Sequence, residues 1–564
     1  MNTNAWTLGL DISTQSISAA VLDPGASPAR VVAERSIPYR DDPRLNRFGI
    51  NHDSLLVPPR VSGEADQPAE MFLAGLDAIL QDLADEGVEI QRIGAVSVSA
   101  QQHGHVYLNE QGRRAISALA EPRKEAGMVG AAADVAGSDL PTRFTGAFAY
   151  GTAPIWQTAD SQPQADEIRA GVGGTETVVN LSGSDSPARF TGAVIRRTAR
   201  RYPDAWRATA TVHLLSSLFS AVLTGDPDCP IDWGNGSGMT LMDYRERQWS
   251  PELVTAVAQG LPGGPERLRE VLPGLAAPVF PVGRIAPYFQ EKYGFDPGCV
   301  VNAGSGDNPQ SKVMIDGDLL SLGTSFVYMV DTGEPRVDLQ GFANSMYDGI
   351  GRPFVFACRT NGAMVWDRLR STYGADLEQA EAALRAVAPG SLVEIWQPYA
   401  ESYPVAPPIE NEAVRSGTAR SRAARSGSAA GSGDEFARLY SAIVDSALVL
   451  TRHYARGFER ESDAGPLALT GGPAASPSIR ARVAAVFQRP VVVLGGSGAA
   501  LGSALSAWKT LCDTEGRDAR LEEVRTDLVP PGAEVAPDPE LVAAYQEITP
   551  GIVATFQEKA RIGT

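Results

Sequence analysis

Apolar and polar positions at the start of the chain alternate with the period of strands. Trp6–Asp11 and Ser16–Leu22 predict two strands joined by the polar turn Ser13-Thr14-Gln15-Ser16, and Val31–Pro38 predicts a third. The period then changes. Phe72, Leu73, Leu76, Ile79, Leu80 and Leu83 recur at helical spacing and give Pro68–Asp85 one apolar face. Gly75 inside that run counts against the helix by about 1 kcal/mol. Ile93–Ser99 predicts a buried strand that ends in Ala100-Gln101-Gln102-His103-Gly104. The opening order is therefore βββαβ.

Residues 190–222 predict mainly helix, interrupted at Pro203. Beyond Pro287–Tyr293 the segment YGFDPGC reads as a boundary turn, and strand patterns begin again. Val300–Ala303 is a strand, DNPQSK a turn into a short helix, and Leu319–Met329 a strand pair broken by Gly323-Thr324-Ser325. GLDISTQS and SLGTSFVY suggest one β-turn-β unit used twice. Glu435–Tyr454 predicts a helix, Leu467–Thr470 and Val491–Leu494 predict strands, and GGSGAALGSALSAW opens a further helix. At roughly 150 residues per domain, 564 residues suggest two to four domains. The boundary turn favours two, residues 1–295 and 296–564. Residues 410–434, rich in Ser, Gly, Ala and Arg, read as a flexible insertion.

Composition narrows the partners. Apolar residues make up 43% of the chain, enough for large cores, and the net charge is −18. That balance argues against a nucleic-acid partner, which needs clustered Lys and Arg. The four cysteines, Cys229, Cys299, Cys358 and Cys512, show no metal-ligand spacing and read as reduced thiols of a cytoplasmic protein. MNTNAWTLGLD lacks a basic export region, and no stretch approaches the roughly 20 apolar residues of a membrane helix.

Four strand ends carry small or hydroxyl residues, two of them with a carboxylate: Asp11-Ile12-Ser13-Thr14, Gly306-Asp307-Asn308, Gly323-Thr324-Ser325 and Gly471-Gly472. Small residues let backbone N–H groups approach an anion, and a carboxylate can hold a hydrated cation or accept a proton. A tight turn explains any one of them; four together point to a nucleotide site. The absence of GxxxxGK[ST] excludes a P-loop enzyme.

GLDISTQSISAAVLD, SAQQHGHVY, ARFTG, PIDWGNGSGM, YGFDPGC, SGDNPQS, SLGTS, LTGG and GAALGSA occur here in the order of the FGGY carbohydrate kinases, which the chain resembles from about Trp6 to about Trp508. The QQHG, RFTG, PID-GSGM and GDNP versions are most similar to the xylulose kinases of that family. The resemblance implies an α/β fold of two actin/Hsp70-like (ribonuclease H-like) domains with a nucleotide and sugar cleft between them. It implies ATP and Mg²⁺ as cofactors, a sugar as substrate and transfer to the terminal hydroxyl of a ketose, D-xylulose to D-xylulose 5-phosphate. It also admits a homodimer.

Residue by residue, the resemblance makes Asp307 the general base. It sets Asp11 across the cleft, organising Mg²⁺ through water, with Ser13, Thr14 and Gln15 near the γ-phosphate. Gly323, Thr324 and Ser325 become the second phosphate loop, Gly471 and Gly472 the approach to adenosine, and Gly498 to Gly502 the closure of the nucleotide pocket. Gln102, His103, Arg189 and Asn308 become sugar contacts, and Asp232 a residue that shapes the site. Read without the family, Asp307 equally suits a helix N-cap, the Asp11–Ser13 stretch a capped β-turn, and Gly498–Gly502 close helix packing.

One position departs from the family pattern. The Asp of the usual W-x-D falls on Thr158 in Ile155-Trp156-Gln157-Thr158, with Asp160 two residues on. A kinase for another ketose or polyol, such as ribulose or an alditol, therefore stands as an alternative. An actin- or Hsp70-like ATP-switched binding protein stands further off, because QQHG, RFTG and GDNP have no role in one.

Overall fold

A computed structural model of the chain describes residues 5–122, 138–412, 414, 432–460, 465–495 and 498–562. The chain folds into two compact units. The first comprises residues 1–316, 345–353 and 497–528; the second comprises 317–344, 354–496 and 529–564. The expected division after residue 295 is thus corrected. The chain after YGFDPGC returns to the first unit before leaving it, and comes back again near residue 497. The Ser/Gly/Ala/Arg-rich insertion at 410–434 lies largely outside the described residues.

The first unit is built on a seven-stranded sheet. Its members are β1 (Trp6–Ile12), β2 (Ser16–Asp23), β3 (Arg30–Pro38), β4 (Ile93–Ala100), β5 (Pro281–Arg284), β6 (Val300–Asn302) and β7 (Ser305–Gly306). The order across the sheet is β5-β6-β4-β1-β2-β3, with β7 also on β4. β1 and β2 form the predicted antiparallel hairpin, and β1, β6 and β7 all run parallel to β4.

Helices cover both faces, so β1 is buried along nearly its whole length although apolar residues alternate in it with Thr7, Gly9 and Asp11. Leu8, Leu10 and Ile12 are fully buried, each worth about 1.5–3 kcal/mol relative to exposure. On their face lies the helix Ala69–Asp85, as predicted to within a residue. Gly75 sits over Ile17, where an added Cβ would already touch at 3.4 Å. On the opposite face lies the helix Ala499–Thr514. It packs so closely that a Cβ on Gly9 would fall 1.9 Å from the Ala500 carbonyl oxygen, and one on Gly502 1.9 Å from that of Gln310.

The second unit has a sheet containing β8 (Leu319–Leu322), β9 (Phe326–Asp331), β10 (Pro353–Arg359), β11 (Leu467–Thr470) and β12 (Val491–Val493), in the order β10-β9-β8-β11-β12. β8 and β9 form an antiparallel hairpin, β10 is antiparallel to β9, and β11 and β12 continue in parallel from β8. The first unit has the same arrangement in β3-β2-β1-β4-β6. The suggested duplication is therefore present as strand topology. The core of this unit gathers Leu320, Phe326, Tyr328, Trp366, Leu448 and Phe487 around the predicted helix, observed as Ser432–Ala455.

Residues 190–222 are mainly helical, as their pattern predicts, with a break before the separate short helix Pro203–Ala208 and one strand that the pattern does not show. Helices Thr191–Arg201 and Leu215–Thr224 flank a strand, Thr211–Leu214, paired with His105–Leu108. Four fully or nearly fully buried residues between helices carry no period of their own, so only the partner strand decides their state.

Among the described residues, no helix is long and apolar enough to cross a membrane, and the four cysteines are free thiols.

Candidate active site

Three neighbouring parallel strands end on the same edge of the first sheet. β1 ends in Asp11-Ile12 and its turn, β4 in Gln101-Gln102-His103, and β7 runs directly into Asp307. The carboxyl ends of parallel strands are where open α/β sheets place their ligand groups. Three of the sequence motifs are thereby brought together by sheet register alone.

Ser99 fixes that register. It pairs with Asp11 on one side and with Ser305 on the other. The two flanking strands are therefore two inter-strand spacings apart, roughly 9–10 Å. Asp11 was expected across a cleft from Asp307; the structure corrects this, because both belong to the first unit and to one sheet.

Asp11 is half-buried, and its Oδ1 accepts a hydrogen bond from Ser99 Oγ at 2.7 Å. Burial raises its pKa, and the Ser99 bond opposes that only in part. Asp307 is the first residue of the helix Asp307–Val313, behind Gly306 at the N-cap, and its side chain does not cap that helix. Its Oδ1 instead accepts from the backbone N–H of Asn308 at 2.8 Å and from Asn308 Nδ2 at 3.1 Å. Gln102 N–H also donates to this carboxylate. Burial, then the negative charge of Asp11, pushes the Asp307 pKa up to about 7. A carboxylate near 7 that is held by fixed donors is suited to take a proton at neutral pH.

His103 is held in the left-handed region at φ +67°, an uncommon conformation for a residue with a side chain and one that marks a position under constraint. Its Nδ1 lies 3.0 Å from the Gly238 carbonyl oxygen, so that nitrogen is the donor and Nε2 is left as an acceptor. Burial, aided by the Arg189 charge, lowers its pKa to about 3, and the ring is neutral. Phe190 packs against it with ring centres 4.5 Å apart, and the Arg189 guanidinium lies 5.9 Å from the Phe190 ring. Gln102 Nε2 donates to Gly234 O at 3.3 Å. Gln102, His103, Arg189, Asn308 and Asp307 therefore belong to one neighbourhood.

The turn after β1 divides its work. Ser13 Oγ is spent inside the turn, donating to Ser16 O and accepting from the N–H groups of Gln15 and Ser16. Gln15 is exposed. Thr14 Oγ1 donates to Gln101 Oε1 at 3.1 Å and accepts from Trp156 Nε1 at 2.9 Å. Gln101 in turn donates to Gln67 Oε1, and Gln67 Nε2 donates to the Thr14 carbonyl. This ring of bonds fixes the turn. Gln67 had no local signal as a site residue, since the ring closes through positions 34 to 87 residues apart. Trp156, 44% exposed, is an aromatic surface beside Thr14.

Thr158 is not among these groups. It is 2% exposed, and its hydroxyl donates to the Ala65 carbonyl at 3.2 Å. Asp160 does not replace the missing carboxylate, because it is paired with Arg201 and lies 3.6 Å from Arg197.

In the second unit, Gly323, Thr324 and Ser325 form the bend between β8 and β9, with Thr324 exposed. Gly471 follows the neighbouring β11 at φ +95°. A Cβ there would lie 2.3 Å from the Leu322 carbonyl oxygen, whereas one on Gly472 would meet nothing within 4 Å. The two turns are thus adjacent, and Gly472 leaves open backbone beside them. Gly502 belongs elsewhere: it is a packing glycine of the first unit, set against Gln310.

Residues 319–511 match the FGGY family of carbohydrate kinases, C-terminal domain. The xylulose kinase of Mus musculus is 28% identical over 98% of this chain and 94% of its own length. A probable D-xylulose kinase A of Arthroderma otae is 27% identical over 65% of this chain, and there the chain spans about three fifths (60%) of the relative's length. The crystal structure of xylulose kinase from Rhodospirillum rubrum superposes with a TM-score of 0.73 at 18% identity, covering 98% of each chain; at that identity the likeness is one of fold. Residues 319–511 are thus similar to the C-terminal domain of the FGGY carbohydrate kinases, and the similarity to a xylulose kinase runs over nearly the whole chain.

Proposed function

We propose that the chain is an ATP- and Mg²⁺-dependent sugar kinase that transfers the γ-phosphate to the terminal hydroxyl of D-xylulose, giving D-xylulose 5-phosphate. One observation carries the reading. Three parallel strand ends gather Asp11, Gln102, His103 and Asp307, and the last is a half-buried carboxyl whose pKa is pushed to about 7.

Asp307 takes the proton of the sugar hydroxyl as that oxygen turns nucleophile. Phosphoryl transfer asks little covalent work of a protein, so positioning and charge carry the rate. Neutral His103, with Nε2 as acceptor, receives a sugar O–H, and Gln102, Asn308 and Arg189 supply further partners. Asn308 Nδ2, now bonded to Asp307, exchanges that bond for a sugar oxygen. Gly323, Thr324, Ser325, Gly471 and Gly472 of the second unit bind the nucleotide.

Among the described residues no cluster of three or more carboxylate, His or Cys groups could encage a metal. That fits Mg²⁺, which keeps its waters and binds through one or two carboxylates plus phosphate oxygens. Asp11 fits this part, with Oδ1 held by Ser99 and, among the described residues, no such bond to its other oxygen. Bound with ATP, Mg²⁺ neutralises charge on the phosphates.

Thr158 favours a second reading, a kinase for another ketose or polyol, since it supplies no carboxylate and its hydroxyl is already bonded. ADP release with D-xylulose, D-ribulose and a set of alditols separates the two. The highest kcat/KM is expected with D-xylulose. Preference for another sugar moves the substrate assignment, and ATP turnover independent of sugar removes the kinase reading.

A further inference from the structure

We propose that the segment Asp232–Gly238, from PIDWGNGSGM, is the positioning element of the site, with the Asp232–Ser305 hydrogen bond as its clamp on Asp307. The proposal rests on the kinase reading of the site and gives this segment a specific task within it.

Asp232 is completely buried, yet it faces three donors. Its Oδ2 accepts from Ser305 Oγ at 2.5 Å and from Asn235 N–H at 3.1 Å, and its Oδ1 accepts from Asn235 Nδ2 at 2.7 Å. Three converging donors require a group that only accepts, which an ionised carboxylate is and an amide is not. Ser305 is two residues before Asp307, on the short strand β7. A charge-assisted bond in a dry interior holds that strand end more firmly than the two β7 residue pairs alone. Asn235 is itself anchored through Nδ2 to Ser216 Oγ at 2.8 Å.

The same short segment holds two sugar-site residues. The Gly234 carbonyl accepts from Gln102 and the Gly238 carbonyl from His103. Its glycines are required by these approaches. A Cβ on Gly234 would lie 2.4 Å from Ser305 Oγ, and one on Gly238 2.7 Å from His103 Cε1. Thus Asp307, Gln102 and His103 are oriented from one rigid turn. None of its own side chains needs to touch the sugar.

The test compares Ser305→Ala, Asp232→Asn and the double variant with the unaltered chain. Two readouts are used: steady-state kinetics with ATP and D-xylulose, and the Asp307 carboxyl titration followed by NMR. Ser305→Ala leaves every other partner of Asp232 in place, so it serves even if Asp232→Asn fails to fold. The expected result is a kcat loss of roughly 10- to 100-fold with the KM for ATP within about twofold, as for misplaced reacting groups. The Asp307 midpoint falls below about 7 as the loosened carboxyl gains water. The double variant is no worse than Asp232→Asn, because both changes remove one bond.

Wild-type kcat together with a wild-type Asp307 titration in Ser305→Ala overturns the clamp. So do losses that multiply in the double variant. If the unaltered chain phosphorylates no sugar but Ser305→Ala still moves the Asp307 titration, the clamp stands and the kinase reading falls. If the unaltered chain is active and Ser305→Ala is silent in both readouts, the clamp alone falls.

Discussion

Asp11 and Asp307 leave the same edge of one sheet on either side of β4, and Ser99 of that strand pairs with Asp11 itself and with Ser305, two residues before Asp307. Each carboxylate is partly stripped of water. The charge of the first helps to hold the proton on the second.

That coupling has a direction. Asp11→Asn removes a like charge, so the Asp307 titration moves to lower pH. NMR of the Asp307 carboxyl in the ligand-free protein measures it directly. A midpoint that stays put or rises would mean burial alone sets the value.

His103 gives the opposite kind of signature. Its ring is neutral with a pKa near 3, so it adds no inflection to the pH profile in the usual histidine range around 6.5. His103→Ala removes a buried partner of the sugar, a loss on the order of 1–3 kcal/mol, or roughly 5- to 150-fold in KM for the sugar. The KM for ATP is expected to change little. Parallel titrations of both substrates check this, and an equal rise in both KM values would contradict it.

Gly502→Ala tests the fold that carries the site. The new methyl would overlap the Gln310 carbonyl, in the helix that begins at Asp307. Overpacking of this kind costs roughly 1–3 kcal/mol, read as a lower midpoint in urea. Unchanged stability would mean that Ala499–Thr514 and Asp307–Val313 can part freely.

Much of this was legible in the sequence because it is local. β1, β2, the helix Ala69–Asp85 and the turn into Asp307 each follow from periodicity and small residues within about twenty positions. The rest depends on pairings between distant segments. Nothing near Ser305 says that it will lie beside Ser99, so the expected boundary at 295 put Asp307 in the wrong unit. Thr158 lies where the family pattern puts a carboxylate, but its burial is decided by Ala65, more than ninety residues earlier. Ser13 looked like a phosphate donor by type, yet its hydroxyl closes its own turn. Gly502 looked like part of a nucleotide loop, and three-dimensional packing made it a contact between helices.

Asp307 also has a stability signature. Its folded pKa is raised, so its contribution to stability is fully present below the ordinary carboxylate range, near 3.8, and is lost as pH rises through about 7. Asp307→Asn removes an ionisation that the folded state resists. Its Tm is expected to exceed that of the unaltered chain above about pH 8 and to approach it below about pH 4. Equal Tm differences at both ends would show that the carboxyl titrates normally.

The most direct measurement is the turnover of Asp307→Asn with ATP and D-xylulose, followed by ADP release, alongside ATP affinity by calorimetry. With Asp307 as the base, kcat falls by roughly 10²–10⁴-fold while ATP binds as before. Near-normal turnover in this variant would contradict the account.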